Sequence, residues 1–129
     1  MRKALLVFFA ALAARTVPVA FVRYKPDAIT LDNCDTEQYR HLALNMLERG
    51  VFSSYPAVYF VRRRAPYEPE AFRLPGYPLF LALSFALFGP DPWFALVLQA
   101  LITSLGAVAL LLLGERLFGP RAGLAVGLL

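Results

Sequence analysis

The stretch DNCDTEQYRHLALNMLERG, residues 32–50, has the pattern of a short amphipathic helix. Its apolar residues recur at helical spacing along one side and are Tyr39, Leu42, Ala43, Met46 and Leu47. The opposite side carries Arg40, His41, Asn45, Glu48 and Arg49. Asp35 is placed to cap the helix, Gln38 stands three residues later as in a capping box, and Gly50 is a natural stop. We therefore predict a helix over residues 36–49 that begins behind a carboxylate.

The rest of the chain is much more apolar than this helix. The 129 residues are 59% apolar with a mean hydropathy of +0.57, above the roughly 45–50% apolar content of soluble domains. The formal charge is +4, but the thirteen Lys and Arg residues are spread along the chain, which argues against nucleic acid as a partner. The single cysteine, Cys34, cannot form an intrachain disulfide and has no zinc-ligand spacing around it. Composition therefore favours a membrane protein, for which we predict no cofactor and no metal-binding residues, while the need for a metal stays open.

Apolar segments on both sides of the helix predict an all-α polytopic membrane protein. We assign spans to residues 4–22, 75–88 and 92–113, and the start of a fourth to residues 122–129. A crossing takes about 20 residues, so the fourth is incomplete, and we expect the chain to be the N-terminal piece of a longer protein or a truncated gene product. The tetrapeptide LFGP, at residues 87–90 and 117–120, reads as a shared helix stop. The helix at 36–49 lies in the outer loop, residues 23–74, with its apolar side on the lipid.

Basic residues set the expected orientation. Arg2 and Lys3 precede the first span and place the N-terminus in the cytoplasm, as in a multi-pass protein of a bacterial inner membrane. Counting crossings from there puts the turn that carries Arg116 and Arg121 outside, against the preference for basic residues inside; we keep this placement because the first basic pair often dominates. The alternative is a secreted protein with a soluble core at 79–113 and a cleaved signal peptide, since Ala4 to Ala14 has the length of a signal peptide's apolar region and Ala-Leu-Ala-Ala resembles a cleavage site.

Polar residues also occur within the spans. Arg15 near the middle of the first would cost roughly 2.5–3.5 kcal/mol on insertion scales, so its side chain either reaches the interface or meets a carboxylate on another helix. Gln99, Thr103 and Ser104 share one face of the third span. Hydrogen bonds between helices explain that face, with a substrate contact as the alternative.

Asp35 is the candidate catalytic residue. At the start of an interfacial helix it would sit at the outer membrane surface, where the helix dipole keeps it ionised. Such a carboxylate can take a proton from an acceptor. A plain helix cap explains Asp35 equally well.

Arginines cluster at the end of the same loop. Arg62, Arg63, Arg64 and Arg73 precede the second span, at the level of lipid phosphates, and guanidinium groups bind phosphate in forked geometry. The alternatives are a solvated charge run balanced by acidic residues or contact with anionic headgroups.

Two ordered series of residues carry a family resemblance. The first is Asp35-Thr36-Glu37-Gln38-Tyr39, continuing through Leu42-Ala43 and Asn45-Met46-Leu47 to Gly50 and Phe52-Ser53. The second is Arg73-Leu74-Pro75-Gly76-Tyr77-Pro78-Leu79-Phe80-Leu81-Ala82-Leu83, followed by Leu87-Phe88-Gly89, Gln99 and Arg116-Leu117-Phe118-Gly119. In this order the chain resembles the start of the integral-membrane glycosyltransferases of the GT-C superfamily. The nearest group contains the dolichyl-phosphate-mannose–protein mannosyltransferases and the aminoarabinose lipid A transferases.

The resemblance implies an enzyme that transfers a sugar from a polyprenyl-phosphate donor, with inversion, to a lipid, glycan or protein acceptor on the outer side of the membrane. Asp35 matches the family's essential acid in the first outer loop, as general base or acceptor-orienting group. Tyr39, Glu37, Arg64 and Arg73 are the substrate-binding candidates. Thr36 separates Asp35 from Glu37, where the mannosyltransferases often have adjacent acids, which argues against protein mannosylation.

The remaining donor-binding residues of the family lie beyond the fourth span, so this piece alone is expected to be inactive. The alternative is a non-catalytic small multi-span membrane protein or an inactive relic of such an enzyme. It would keep the outer helix without the chemistry.

Overall fold

The computed structural model describes residues 2–24, 34–56 and 66–128, with the backbone alone at residues 21–24 and 34. Regular structure in these ranges is entirely α-helical. The helices are α1 (Arg2–Tyr24), α2 (Cys34–Arg49), α3 (Gly76–Phe88), α4 (Pro92–Phe118) and α5 (Pro120–Leu128). They fall into two compact units, one formed by Met1–Tyr24 with Leu96–Leu129, which we call the span unit, and one formed by Lys25–Ala95, which we call the loop unit.

In the span unit, α1 packs antiparallel to α4. Its core is formed by Val7 and Ala11 of α1 with Ala107 and Leu111 of α4, and Leu124 of α5 packs against it. These residues recur at four-residue steps, one helical turn each, so a single face of α1 meets a single face of α4. The small alanines let the two backbones approach closely.

The turn between α4 and α5 is a single residue. Gly119 adopts φ 90°, its N–H donates to the carbonyl of Glu115 (3.1 Å), and Pro120 starts the next helix. Gly89 at the end of α3 adopts φ 88° and donates to Phe85 in the same way. Both copies of LFGP therefore end a helix at a left-handed glycine, and that prediction is confirmed. The helices themselves run further than predicted, since α4 continues past Leu113 to Phe118 and α5 begins at Pro120 rather than Ala122.

One ion pair bears on the predicted sidedness. The ammonium of Lys3 lies 3.1 Å from the carboxylate of Glu115, so the α4–α5 turn, with Arg116 and Arg121, lies at the same end of the span unit as the N-terminus. The prediction placed that turn on the side of the membrane opposite to the N-terminus because it counted residues 75–88 as a crossing. The helix α3 has 13 residues, fewer than the roughly 20 that a crossing takes.

Among the described residues, two helices are long and apolar enough to cross a membrane, Arg2–Ala20 within α1 and Pro92–Phe118. Only 11% and 22% of their spanning windows are buried, and large apolar side chains such as Phe9 and Leu105 are exposed. A core helix of a soluble protein is mostly buried, so these low buried fractions favour the membrane prediction over a soluble core at residues 79–113. The exposed apolar surface supports association with a membrane.

In the loop unit, α2 packs against α3. Ala43 meets a core formed by Leu81, Ala82, Phe85 and Ala95. The opposite face of α3 presents Leu79, Leu83 and Leu87 to the surroundings, spaced one helical turn apart.

The predicted amphipathic pattern of α2 is only partly right. Leu42 and Ala43 are fully buried, but Asn45, assigned to the polar side, is also buried, while Leu47 is exposed. The buried face of α2 is thus rotated toward Gln38 and Asn45. It is occupied at least partly by α3 and the following loop rather than being left for lipid.

Candidate functional site

Arg73 joins the start of α2 to the segment that leads into α3. Its Nη2 donates to Oδ1 of Asp35 at 2.5 Å. Asp35 lies within the first turn of α2, because the helix begins at Cys34, whereas the prediction had placed it ahead of the helix as the N-cap. An acidic residue in the first turn still favours the helix, since it meets the positive end of the dipole.

Gln38 and Tyr39 hold the guanidinium from the other side. The side-chain oxygen of Gln38 accepts from Nε (2.9 Å) and from Nη2 (2.6 Å) of Arg73. Gln38 therefore turns toward Arg73. The Cζ of Arg73 lies 4.6 Å from the centroid of the Tyr39 ring, a cation–π distance.

Arg73 and Asp35 differ sharply in the solvent exposure of their side chains. The side chain of Arg73 is 8% exposed, whereas that of Asp35 is 59% exposed. Burial lowers the pKa of Arg73, but its interactions with Asp35 and Tyr39 outweigh that effect, so the pKa lies above its ordinary value and the group stays charged. The arrangement is a buried cation that presents an accessible carboxylate.

Aromatic rings continue from this site into α3. Tyr39 meets Tyr77 edge to face, with ring centroids 5.2 Å apart, and Tyr77 stacks on Phe80 at 6.1 Å. Such pairs contribute about 0.5–1.5 kcal/mol each beyond their buried area. The rings fix the angle between α2 and α3, and thereby the place at which Arg73 reaches Asp35.

Glu37 lies on the same turn but takes part in a different cluster. Its Oε2 is 3.9 Å from Nη1 of Arg40 and 3.6 Å from Nε2 of His41. Burial lowers the pKa of His41, Glu37 opposes that shift and Arg40 adds to it, so the net direction is down. His41 is therefore predominantly neutral at pH 7.

Asn45 is the residue that the sequence pattern missed. Its Nδ2 donates to the carbonyls of Ser53 and Tyr55, both at 2.7 Å, and it is 5% exposed. A second contact, from the N–H of Glu70 to the carbonyl of Phe52 at 2.7 Å, ties the returning segment to the same loop. The available signal was an amide residue shortly before a glycine stop and two serines. The carbonyl groups of a turn need hydrogen-bond donors once they are buried, and a nearby amide side chain can supply them.

The structure thus brings Asp35, Arg73 and Tyr39 together, with Gln38 as an unpredicted fourth member. Glu37 faces away from this group, toward His41. Arg64, like Arg62 and Arg63, lies outside the described residues. Within the described ranges, no cluster of three or more His, Cys, Asp or Glu residues could hold a metal ion.

Chemically, the site can orient a carboxylate and supply it to a group that approaches from solvent. Arg73 itself is nearly enclosed and engaged by internal acceptors, so its contacts support positioning of Asp35 more directly than binding of a phosphate. The chain was also compared with models of protein families, with curated protein sequences and with solved structures, and none of them matched.

Proposed function

We propose that this chain supplies the acceptor-side acidic site of a membrane glycosyltransferase of the GT-C type, with Asp35 as the group that acts on the acceptor. One observation carries the proposal beyond the resemblance. The Asp35 carboxylate is exposed, although Arg73, which holds it, is buried. An exposed carboxylate that is held in place can be reached by an acceptor hydroxyl, which a carboxylate enclosed together with Arg73 could not.

The proposed reaction is a displacement at the anomeric carbon of a polyprenyl-phosphate-linked sugar. The acceptor hydroxyl attacks, the bond to the polyprenyl phosphate breaks, and the hydroxyl proton passes to the Asp35 carboxylate. Arg73 and Gln38 are positioning residues in this scheme, since they hold Asp35 without reaching the reacting atoms. Tyr39 supports Arg73 through its ring.

The proposed membrane arrangement follows from the span unit. With the N-terminus in the cytoplasm, α1 crosses outward and α4 crosses back, so Arg2, Lys3, Arg116 and Arg121 share the cytoplasmic end. The segment between α1 and α4 then begins and ends on the outer side, and α3 does not by itself cross the membrane. In this multi-pass cell-membrane arrangement, α2 and Asp35 are exposed to the outer side, where lipid-linked donors are presented to acceptors.

The decisive assay measures sugar transfer from labelled polyprenyl-phosphate sugars in membranes that contain the protein expressed from its complete reading frame. Asp35→Asn keeps a hydrogen-bond acceptor for Arg73 but removes the base, and we expect a loss of at least about 100-fold, the lower range for general-base catalysis. Glu48→Gln is the matched control, an exposed acid at the far end of the same helix, and it leaves transfer unchanged. Full transfer by Asp35→Asn would exclude the proposed role.

A non-catalytic membrane protein is the second candidate. It is favoured by the internal contacts of Arg73, which by themselves explain why an acid and an arginine meet at this point. In that case the intact protein transfers none of the sugars tested, and Asp35→Asn changes only the stability of the α2–α3 pair.

A further inference from the structure

A groove of about 470 Å³ lies in the span unit, between α1, α4 and α5. Its walls are Gly, Ala, Leu and Val apart from two polar residues, Arg15 and Thr103. Much of the lining is exposed, and a Cβ added at Gly106 would find no atom within 4 Å. The groove is therefore open along its side, toward the medium that surrounds the helices.

The guanidinium of Arg15 sits at mid-depth in this groove. Its Nη1 donates to the carbonyl of Ala11 at 3.0 Å, one turn back toward the N-terminus, as helical side chains tend to point. Ala11 lies at the centre of the spanning segment Arg2–Ala20. The side chain therefore turns back toward the centre of this apolar segment. Headgroup phosphates stay near the membrane surface, about 15 Å from the centre of a hydrocarbon core about 30 Å thick.

We propose that this groove receives a further transmembrane helix, one that carries an Asp or Glu at mid-depth, paired with Arg15. A charge at the bilayer centre is costly and is usually matched by an opposite charge on a neighbouring helix. Gly106 in the wall, where an added Cβ would meet no atom within 4 Å, permits close approach of a second backbone. The inference needs α1 and α4 to cross the membrane but does not need the transferase activity.

A second copy of this chain does not satisfy the groove. Neither Arg2–Ala20 nor residues 92–113 contains an Asp or Glu. Glu115 is the acid that lies closest in sequence to these apolar stretches, and it is at the end of the bundle, paired with Lys3. The carboxylate must therefore come from a helix other than these.

The test uses the whole chain in phosphatidylcholine vesicles with a synthetic Leu/Ala transmembrane peptide that carries one central Glu. Association is measured by energy transfer between labelled protein and labelled peptide. We expect the Glu peptide to bind about tenfold more tightly than the same peptide with a central Leu, in the range known for polar contacts between membrane helices. A Glu placed at the peptide's end gives no such preference, because it does not reach Arg15.

Two variants separate the charge from the shape of the groove. Arg15→Leu removes the preference for the Glu peptide. Gly106→Leu fills the open side of the groove and weakens the binding of every peptide. Because a Cβ at Gly106 meets nothing, the helices keep their packing, which circular dichroism verifies. Ala10→Leu, an exposed position outside the groove, is the matched control for added bulk and changes nothing.

Equal binding of the Glu and Leu peptides would overturn the proposal. In vesicles that also contain phosphatidylglycerol, so would a result in which Arg15→Leu leaves peptide binding unaffected but abolishes enrichment of that lipid around the protein, since an anionic lipid would then be the occupant.

Discussion

Replacement of Arg73 by methionine tests whether the site is held mainly by Gln38 or by Asp35. Met keeps the apolar stem and removes the guanidinium. The buried oxygen of Gln38 then loses both of its donors, at a cost of about 1–3 kcal/mol, because Gln38 is only 5% exposed. Loss of the half-solvated pair with Asp35 costs about 0.2–1 kcal/mol. Loss of the cation–π contact with Tyr39 costs about 0.5–1 kcal/mol.

These contributions predict that Arg73→Met lowers the free energy of unfolding of the loop unit by about 2–4 kcal/mol, whereas Asp35→Asn lowers it by about 1 kcal/mol or less. The double variant Arg73→Met with Gln38→Leu recovers about 1–2 kcal/mol, since an apolar pair leaves no buried acceptor without a donor. The single tryptophan, Trp93, belongs to the loop unit and reports its unfolding by fluorescence in detergent micelles.

Arg40→Met is the matched control. Its guanidinium is 39% exposed and lies 3.9 Å from Glu37, so its loss changes the free energy of unfolding by about 0.5 kcal/mol at most. Equal destabilisation by Asp35→Asn and Arg73→Met, or a double variant as unstable as the sum of its parts, would refute the assignment of Gln38 as the main support.

Three further predictions concern the scaffold. Asn45→Leu leaves the two loop carbonyls that it now serves without donors and destabilises the loop unit by about 2–4 kcal/mol, measured by the same fluorescence transition. Because the pKa of His41 lies below 6.5 in the folded protein, the unfolded chain binds the proton more readily; stability falls as pH drops below about 6.5, and His41→Gln removes that slope from unfolding curves taken between pH 5 and 8. Gly123→Ala places a Cβ 2.5 Å from the backbone nitrogen of Glu115 and lowers the free energy of unfolding of the span unit by about 1–3 kcal/mol, seen as a lower melting temperature. Gly106→Ala leaves the melting temperature unchanged or raises it slightly.

The helices themselves were predictable because their signals are local. The two LFGP stops, the Pro at the start of α4 and the apolar periodicity of α2 each depend on residues within a few positions of one another. In the described turn before α4, the carboxylate of Asp91 accepts from the N–H of Trp93 at 2.9 Å, which is ordinary capping chemistry.

The candidate site was predictable only in part, because its members come from distant positions. Sequence reasoning selected Asp35 and Arg73 separately, one for a base and one for a phosphate, and gave no reason for them to meet. Their contact depends on α3 packing against α2, which no local pattern encodes. The same packing explains the wrong side given to Asn45, since a periodic pattern identifies an apolar stripe but does not show that a loop covers the residues beside it.

Two sequence rules disagree about the sidedness of the chain, and one long-range contact bears on them. Counting every apolar segment as a crossing placed Arg116 and Arg121 outside, while the preference for basic residues on the cytoplasmic side placed them inside. The ion pair of Lys3 with Glu115 puts these residues at the same end of the span unit as Arg2 and Lys3, in agreement with the second rule. Within the loop unit, α3 has 13 residues, fewer than the roughly 20 of a crossing, and one of its apolar faces is exposed. Because α2 packs against α3, the position of the Asp35 carboxylate depends on a helix that the sequence predicted as a span.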